Sequence, residues 1–184
     1  MSRAADAPSC LPSQTVGPFF HFGLTRNAAL GCLAGAQVAG EHLRLRCTLR
    51  DGAGAPVPDG MIELWQADAA GRYNHPDFGG FGRLATDAEG RCTFETIRPG
   101  RVPDGRGGCQ AAHISVSVFA RGLLARLCTR VYFEGDPGLA ADPMLALVPE
   151  QRRATLLAHW NAAAGVWEFE IHLQGEKETV FFDV

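Results

Sequence analysis

The stretch Ala112-His113-Ile114-Ser115-Val116-Ser117-Val118-Phe119 alternates in the manner of a strand and carries the most pointed chemistry of the chain. Residues two apart on a strand face the same way, so His113 and Ser115 stand side by side where a His-x-His pair would grip a metal. A neutral serine hydroxyl is a weak ligand, and the gap points to a chain that shapes a pocket while a partner subunit does the ligation. Arg130 is the second group of interest. Within a strand-like run with Val131, Tyr132 and Phe133, a buried arginine must find an acceptor. Its planar, permanently charged guanidinium suits a carboxylate or a water-bridged anion, or else an ion pair with Glu134, Asp136 or another acidic side chain. Cys109 lies four residues before His113, but no orienting third group accompanies it and Gly107-Gly108 reads as a loop, so a thiol nucleophile is not indicated. His21, His42, His75, His159 and His172 have no paired spacing and suit surface or packing roles.

The elements that must position these groups are short. Asp51-Gly52, Asp59-Gly60, Ala88-Glu89-Gly90, Pro99-Gly100, Asp104-Gly105 and Gly107-Gly108 each mark a reversal. Between them run Glu41 to Arg50 with Leu43, Leu45, Cys47 and Leu49 on one face, Met61 to Gln66, Arg91 to Ile97, His113 to Phe119 and Thr129 to Glu134. Trp167, Phe169, Ile171 and Leu173 repeat the alternation, and Thr179 to Asp183 follows as a last strand-like segment. About seven short strands without alternating helices predict a mainly β fold, an antiparallel β-sandwich. The segment after Pro149 predicts a covering helix, with Glu150 at its N-terminal dipole and Leu156, Leu157 and Trp160 as an apolar stripe. Thr25 to Gly40 has no clear period and reads as a loop or short helix. Pro12 to Phe20 mixes small, polar and rigid positions before two aromatics, which suits either an arm laid on another surface or an ordinary leader into the first strand.

Composition limits the function classes. With 184 residues, 46% apolar and 20% charged, the chain can bury one sizeable core. A net charge of -3 with scattered Lys and Arg gives no basic field, so neither nucleic acid nor an anionic membrane is indicated as a partner. No secretion signal and no membrane-length apolar window is apparent, and the expected location is cytoplasmic. The six cysteines, at 10, 32, 47, 92, 109 and 128, lack Cys-x-x-Cys spacing, which argues for reduced thiols rather than disulfides or structural zinc. Cys47 and Cys128 read as small buried apolar residues.

Taken together, a series of blocks resembles an intradiol ring-cleaving dioxygenase. They are Pro12-Ser13-Gln14-Thr15-Val16-Gly17-Pro18, Ile62-Glu63-Leu64-Trp65-Gln66-Ala67-Asp68, Gly71-Arg72-Tyr73, Phe81-Gly82-Arg83, Ala112-His113-Ile114, Thr129-Arg130-Val131-Tyr132-Phe133 and Gln174-Gly175-Glu176. They run in order over nearly the whole chain. Phe119-Ala120-Arg121-Gly122 and the ending Glu178-Thr179-Val180-Phe181-Phe182 are similar to the alpha type of chain found in two-chain members.

The resemblance implies a β-sandwich domain over residues 41–184 and an N-terminal arm over residues 1–40 that contributes to the partner's pocket. Catalytic chains of this family hold non-haem Fe(III) with two tyrosines and two histidines, a hard donor set that suits the ferric ion. By that resemblance Tyr73 and His113 match the first tyrosine and the first histidine, whereas Val102 and Ser115 stand where the second of each would be. Gln110 departs from an arginine at its place. No metal ligand set and no catalytic residue is therefore implied for this chain. Its Fe(III) belongs to a partner beta chain within a higher hetero-oligomer, and Tyr73 and His113 read as relics in a vestigial pocket. Arg130, Thr15, Gly17 and Pro18 are the implied substrate-binding residues, the last three as a lid acting through shape and backbone hydrogen bonds. The implied reaction inserts both atoms of O2 between the hydroxyl-bearing carbons of 3,4-dihydroxybenzoate, giving 3-carboxy-cis,cis-muconate in the beta-ketoadipate route of aromatic breakdown. Two other readings stand beside it: a non-enzymatic β-sandwich interaction module that has lost its metal site, and a self-sufficient intradiol enzyme with unusual ligands.

Overall fold

The computed structural model describes residues 16–183. Ten strands form the frame: β1 (His42–Arg50), β2 (Met61–Gln66), β3 (Phe81–Ala85), β4 (Arg91–Ile97), β5 (Val102–Pro103), β6 (Cys109–Gln110), β7 (His113–Phe119), β8 (Leu127–Phe133), β9 (Leu157–Asn161) and β10 (Val166–His172). Two short helices, α1 (Pro18–Leu24) and α2 (Pro143–Ala146), accompany them. Eight strands hydrogen-bond in the order β3-β2-β7-β8-β9-β10-β1-β4, and β5 pairs with β6 as a separate ribbon. Among the described residues no helix is long and apolar enough to cross a membrane.

The large sheet folds over because β9 is shared: it pairs with β8 on one side and β10 on the other. The halves thus face one another across a core of Leu45, Cys47, Leu49, Ile62, Leu64, Phe94, Ile114, Val116, Val118, Val131, Phe133, Phe169 and Ile171. The period-two pattern read from the sequence is the cause. Leu43, Leu45, Cys47 and Leu49 are all buried on β1, as are Ile114, Val116 and Val118 on β7.

The mainly β fold with short helices is as expected, and four details differ from the sequence reading. Two pairings, β1 with β10 and β8 with β9, are parallel rather than antiparallel. The helix expected after Pro149 is a 3-10 turn, Glu150–Leu156, that gives way to β9. Leu156 is fully buried while Trp160 is half exposed, so the supposed stripe is not one face, and pairing with two neighbouring strands overrides the helical spacing. Phe81–Ala85, not singled out as a strand, pairs with β2 along its whole length. Thr179 to Asp183 is a strap rather than a strand, held by a single bridge from Phe182 to Cys128 and by Thr129 Oγ1 donating to the Val180 carbonyl at 2.7 Å. Between residues 25 and 40, a 3-10 turn at Ala28–Gly31 is capped by the Asn27 side chain, and Leu33 donates its N–H to the Glu95 carbonyl. The five described cysteines are free; Cys47 lies buried opposite Cys92, and Cys128 is half-buried.

Two loops approach so closely that only glycine fits. The Asp68 carboxylate accepts from the Ala70 and Arg72 N–H groups and from Arg72 Nε, all at 2.9 Å, and the Asp68 carbonyl accepts from Gly100 N. A Cβ at Gly71 (φ +78°) would collide with the Arg101 carbonyl oxygen, and one at Gly100 would lie 2.5 Å from that of Ala69. The seam lies two residues before Tyr73 on one side and just before Val102 on the other. Gly71→Ala is expected to lower the thermal unfolding midpoint by more than Gly105→Ala. Both positions have positive φ, costing about 1–2 kcal/mol for alanine, but a Cβ at Gly105 meets open space.

Candidate functional site

Register places the chemistry of the chain on the outer face of β2, β7 and β8. Trp65 pairs with Ser115, Ser115 with Arg130, and His113 with Tyr132. These side chains alternate with the core residues of the same strands, so burying Ile114 and Val131 necessarily turns His113, Ser115 and Arg130 outward. Trp65, Ser115, Ser117, Arg130, Met144 and Phe182 line a cavity of about 290 Å³. The ring of Tyr73 stacks on the indole of Trp65 at 5.9 Å and 13°.

Arg130 is half-buried and has no carboxylate partner among the described residues. Its Nη1 donates to Gln110 Oε1 at 2.6 Å and, at 3.5 Å, to the Tyr132 hydroxyl. That hydroxyl in turn donates to Asp142 Oδ1 at 3.2 Å, and burial pushes the phenol up to about 12, so it stays protonated. The alternative of an ion pair with Glu134 or Asp136 is not realised. Glu134 pairs with His159 at 3.0 Å and Asp136 with Arg98 at 3.3 Å, both reached more directly from the loop that follows β8.

Asp142 anchors this corner. Only 1% exposed, its carboxylate accepts from the N–H groups of Ala111 at 2.7 Å and of Met144 and Leu145 at 2.8 Å, capping α2 as well as receiving the tyrosine. The Ala111 bond fixes the entry into β7, where His113 Nδ1–H donates to the Ala111 carbonyl at 2.8 Å. Since a carbonyl can only accept, the neutral imidazole carries its proton on Nδ1 and keeps its lone pair on Nε2. Burial and then the neighbouring Arg130 charge hold His113 below its ordinary range.

The residues here do not fit a ferric ion. The two matching donors are a tyrosine whose acidity burial weakens, against the pull of Arg130, and a single imidazole. Val102, opposite Gln110 in the β5–β6 pair, brings no donor atom, and Ser115 brings a neutral hydroxyl. Arg130 is close enough to act electrostatically on both Tyr73 and His113.

The other sequence-derived candidates lie elsewhere. Gly17 is the N-cap of α1 and lines a second cavity with Phe20, Leu24, Phe119, Leu123 and Leu124; Pro18 is the first residue of that helix. Arg126 borders both cavities, yet the described chain does not bring Gly17 against Arg130. Thr15 and Cys10 lie outside the described residues. Cys109 is exposed on its ribbon. Of the five unpaired histidines, His42 bonds the Val38 carbonyl, and His75, His159 and His172 pair with nearby acids. Gln110, Tyr132 and Asp142 were not singled out as a cluster from sequence. Of the three only Asp142 carries a local signal, an acidic residue immediately before Pro143 at a helix start.

A family model described as Dioxygenase matches residues 16–175. The chain is 42% identical to the protocatechuate 3,4-dioxygenase alpha chain of Burkholderia cepacia, over 94% of this chain and 96% of that one. It is 37% identical to the beta chain from the same organism, covering 91% of this chain and 77% of that one. Among solved structures, the dioxygenase domain of a carbohydrate-binding fusion from Streptomyces sp. SirexAA-E matches with a TM-score of 0.64 and 27% identity, over 89% of this chain and 97% of that one.

The depressed His113 has a consequence for stability. In the window below about pH 6.5 the unfolded chain takes up a proton at this position that the folded chain refuses, so stability falls as the pH falls through that window. His113→Asn is expected to flatten this acid limb, read as the thermal midpoint between pH 7.5 and pH 5.

Proposed function

The chain belongs to the intradiol ring-cleaving dioxygenase family, and from that premise we propose that it is the non-iron alpha subunit of a protocatechuate 3,4-dioxygenase. The observation that carries this reading is the outer face of β7 and β8. Two of the four family ligand positions are Val102 and Ser115, and a guanidinium with no counter-ion among the described residues stands beside the two that remain. Higher identity and fuller coverage against the alpha chain than against the beta chain support the same assignment.

In this reading the ferric ion and the ring-opening chemistry reside in a beta chain, within a higher hetero-oligomer that takes 3,4-dihydroxybenzoate and O2 to 3-carboxy-cis,cis-muconate. This chain supplies wall and charge. Arg130 offers its free Nε and Nη2 to the ring carboxylate, a charge-assisted contact worth about 1.5–3 kcal/mol. Residues 1–40 act as an arm, with Thr15, Gly17 and Pro18 covering the aromatic substrate in the partner's pocket. Gly17 is exposed at the mouth of its cavity, as a residue completed by another chain would be. None of these groups moves a proton; they orient the ring and exclude water.

Arg130→Ala in the complex co-expressed with its beta chain is expected to raise the KM for 3,4-dihydroxybenzoate about tenfold or more, while iron content and kcat stay close to the parent. An unchanged KM in oxygen-uptake assays would remove Arg130 from the pocket.

A further inference from the structure

The way Arg130 is held says more than that it is present. Its two bracing groups, the Gln110 amide oxygen and the Tyr132 hydroxyl, are both neutral. The nearby carboxylate, Asp142, is kept one hydroxyl away and is already saturated by three backbone N–H groups. Neutral acceptors fix the direction of a guanidinium without cancelling its charge; an acidic residue in the same place would fix it equally well and neutralise it. Of the two braces, Gln110 makes the short contact, 2.6 Å against 3.5 Å, and it sits on the β5–β6 ribbon rather than on the strand that carries Arg130. It therefore ties the arginine to a second element and stops it from swinging along the sheet. Tyr132 lies on the same strand as Arg130, two residues on, and supplies only lateral support.

We propose that Gln110 is a positioning residue that sets specificity, holding Arg130 aimed and uncompensated so that the enzyme favours catechols bearing an anionic substituent over uncharged ones. This rests on the reading of Arg130 as the contact for the substrate carboxylate. Gln110 touches no substrate and no reacting atom. It acts through the guanidinium alone, and its effect falls on the preference between substrates rather than on ring opening.

The test uses the assembled complex with four forms of this chain: parent, Arg130→Ala, Gln110→Glu and Gln110→Met. Each is assayed for kcat/KM on 3,4-dihydroxybenzoate and on uncharged 4-methylcatechol. Gln110→Glu keeps an acceptor but adds the cancelling charge, and is expected to lower the ratio of the two constants about tenfold, as far as Arg130→Ala does. Gln110→Met keeps the bulk but frees the arginine, and is expected to lower the ratio severalfold, through KM for the carboxylated substrate. The constants for 4-methylcatechol stay near parent values in both Gln110 variants. If Arg130→Ala shifts the ratio while both Gln110 variants leave it unchanged, or if the variants depress both substrates equally as a structural defect would, the role given to Gln110 is overturned. If Arg130→Ala itself leaves the ratio unchanged, the carboxylate contact on which the role rests is what fails.

Discussion

The site is arranged around the positive charge of Arg130, to which no group of opposite sign is bonded among the described residues. A half-buried guanidinium is expensive unless its donors are met, and here they are met only in part and only by neutral groups, Gln110 and Tyr132. Acidic side chains that could have paired with it are committed elsewhere: Asp136 to Arg98, Glu134 to His159, and Asp142 to backbone amides. Arg130 lines a cavity together with Ser115 and Trp65. Such a group invites an anion.

The scaffold that holds the charge draws on distant parts of the sequence. Sharing β9 between two sheet halves closes the core and gives β8 a rigid neighbour on each side. Glycines at 71 and 100 let two loops touch through backbone alone, just before the Tyr73 segment and the β5–β6 ribbon. Gln66 locks the sheets from inside: its Nε2 donates to the Ile97 carbonyl at 2.9 Å and its Oε1 accepts from Thr96 Oγ1 at 2.8 Å. Much of the conspicuous Trp-Gln-Ala-Asp block is thus architecture. Its direct contribution to the site is the indole of Trp65, which lines the cavity and stacks on Tyr73.

Period-two alternation made β1, β2, β4, β7, β8 and β10 legible from sequence, and with them the placing of His113, Ser115 and Arg130 on one outward face. It failed where burial is incomplete or where the pairing is not local. Phe81–Ala85 is only partly buried and includes Gly82, so it shows no clear alternation. Leu156, Leu157 and Trp160 happen to fall at helical spacing, but they divide between a turn and a strand that two other strands capture. Within the site the long-range contacts were invisible. Gln110 and Arg130 are 20 residues apart, and Ala111 and Asp142 are 31 apart, so neither pair leaves a local pattern. Proximity in sequence pointed instead to Glu134 and Asp136 as partners for Arg130, and the geometry of the turn after β8 sends both away.

The proposed division of labour, iron in a partner chain and a directed charge in this one, can be tested on the purified chain. The most direct measurement is iron content and visible absorption of this chain purified without any beta chain, beside the co-purified complex. Colourless protein with far less than one iron per chain, opening no catechol ring, is the expected result, with iron and colour appearing only in the complex. A coloured homo-oligomer holding about one ferric ion per chain and consuming O2 with 3,4-dihydroxybenzoate would contradict it.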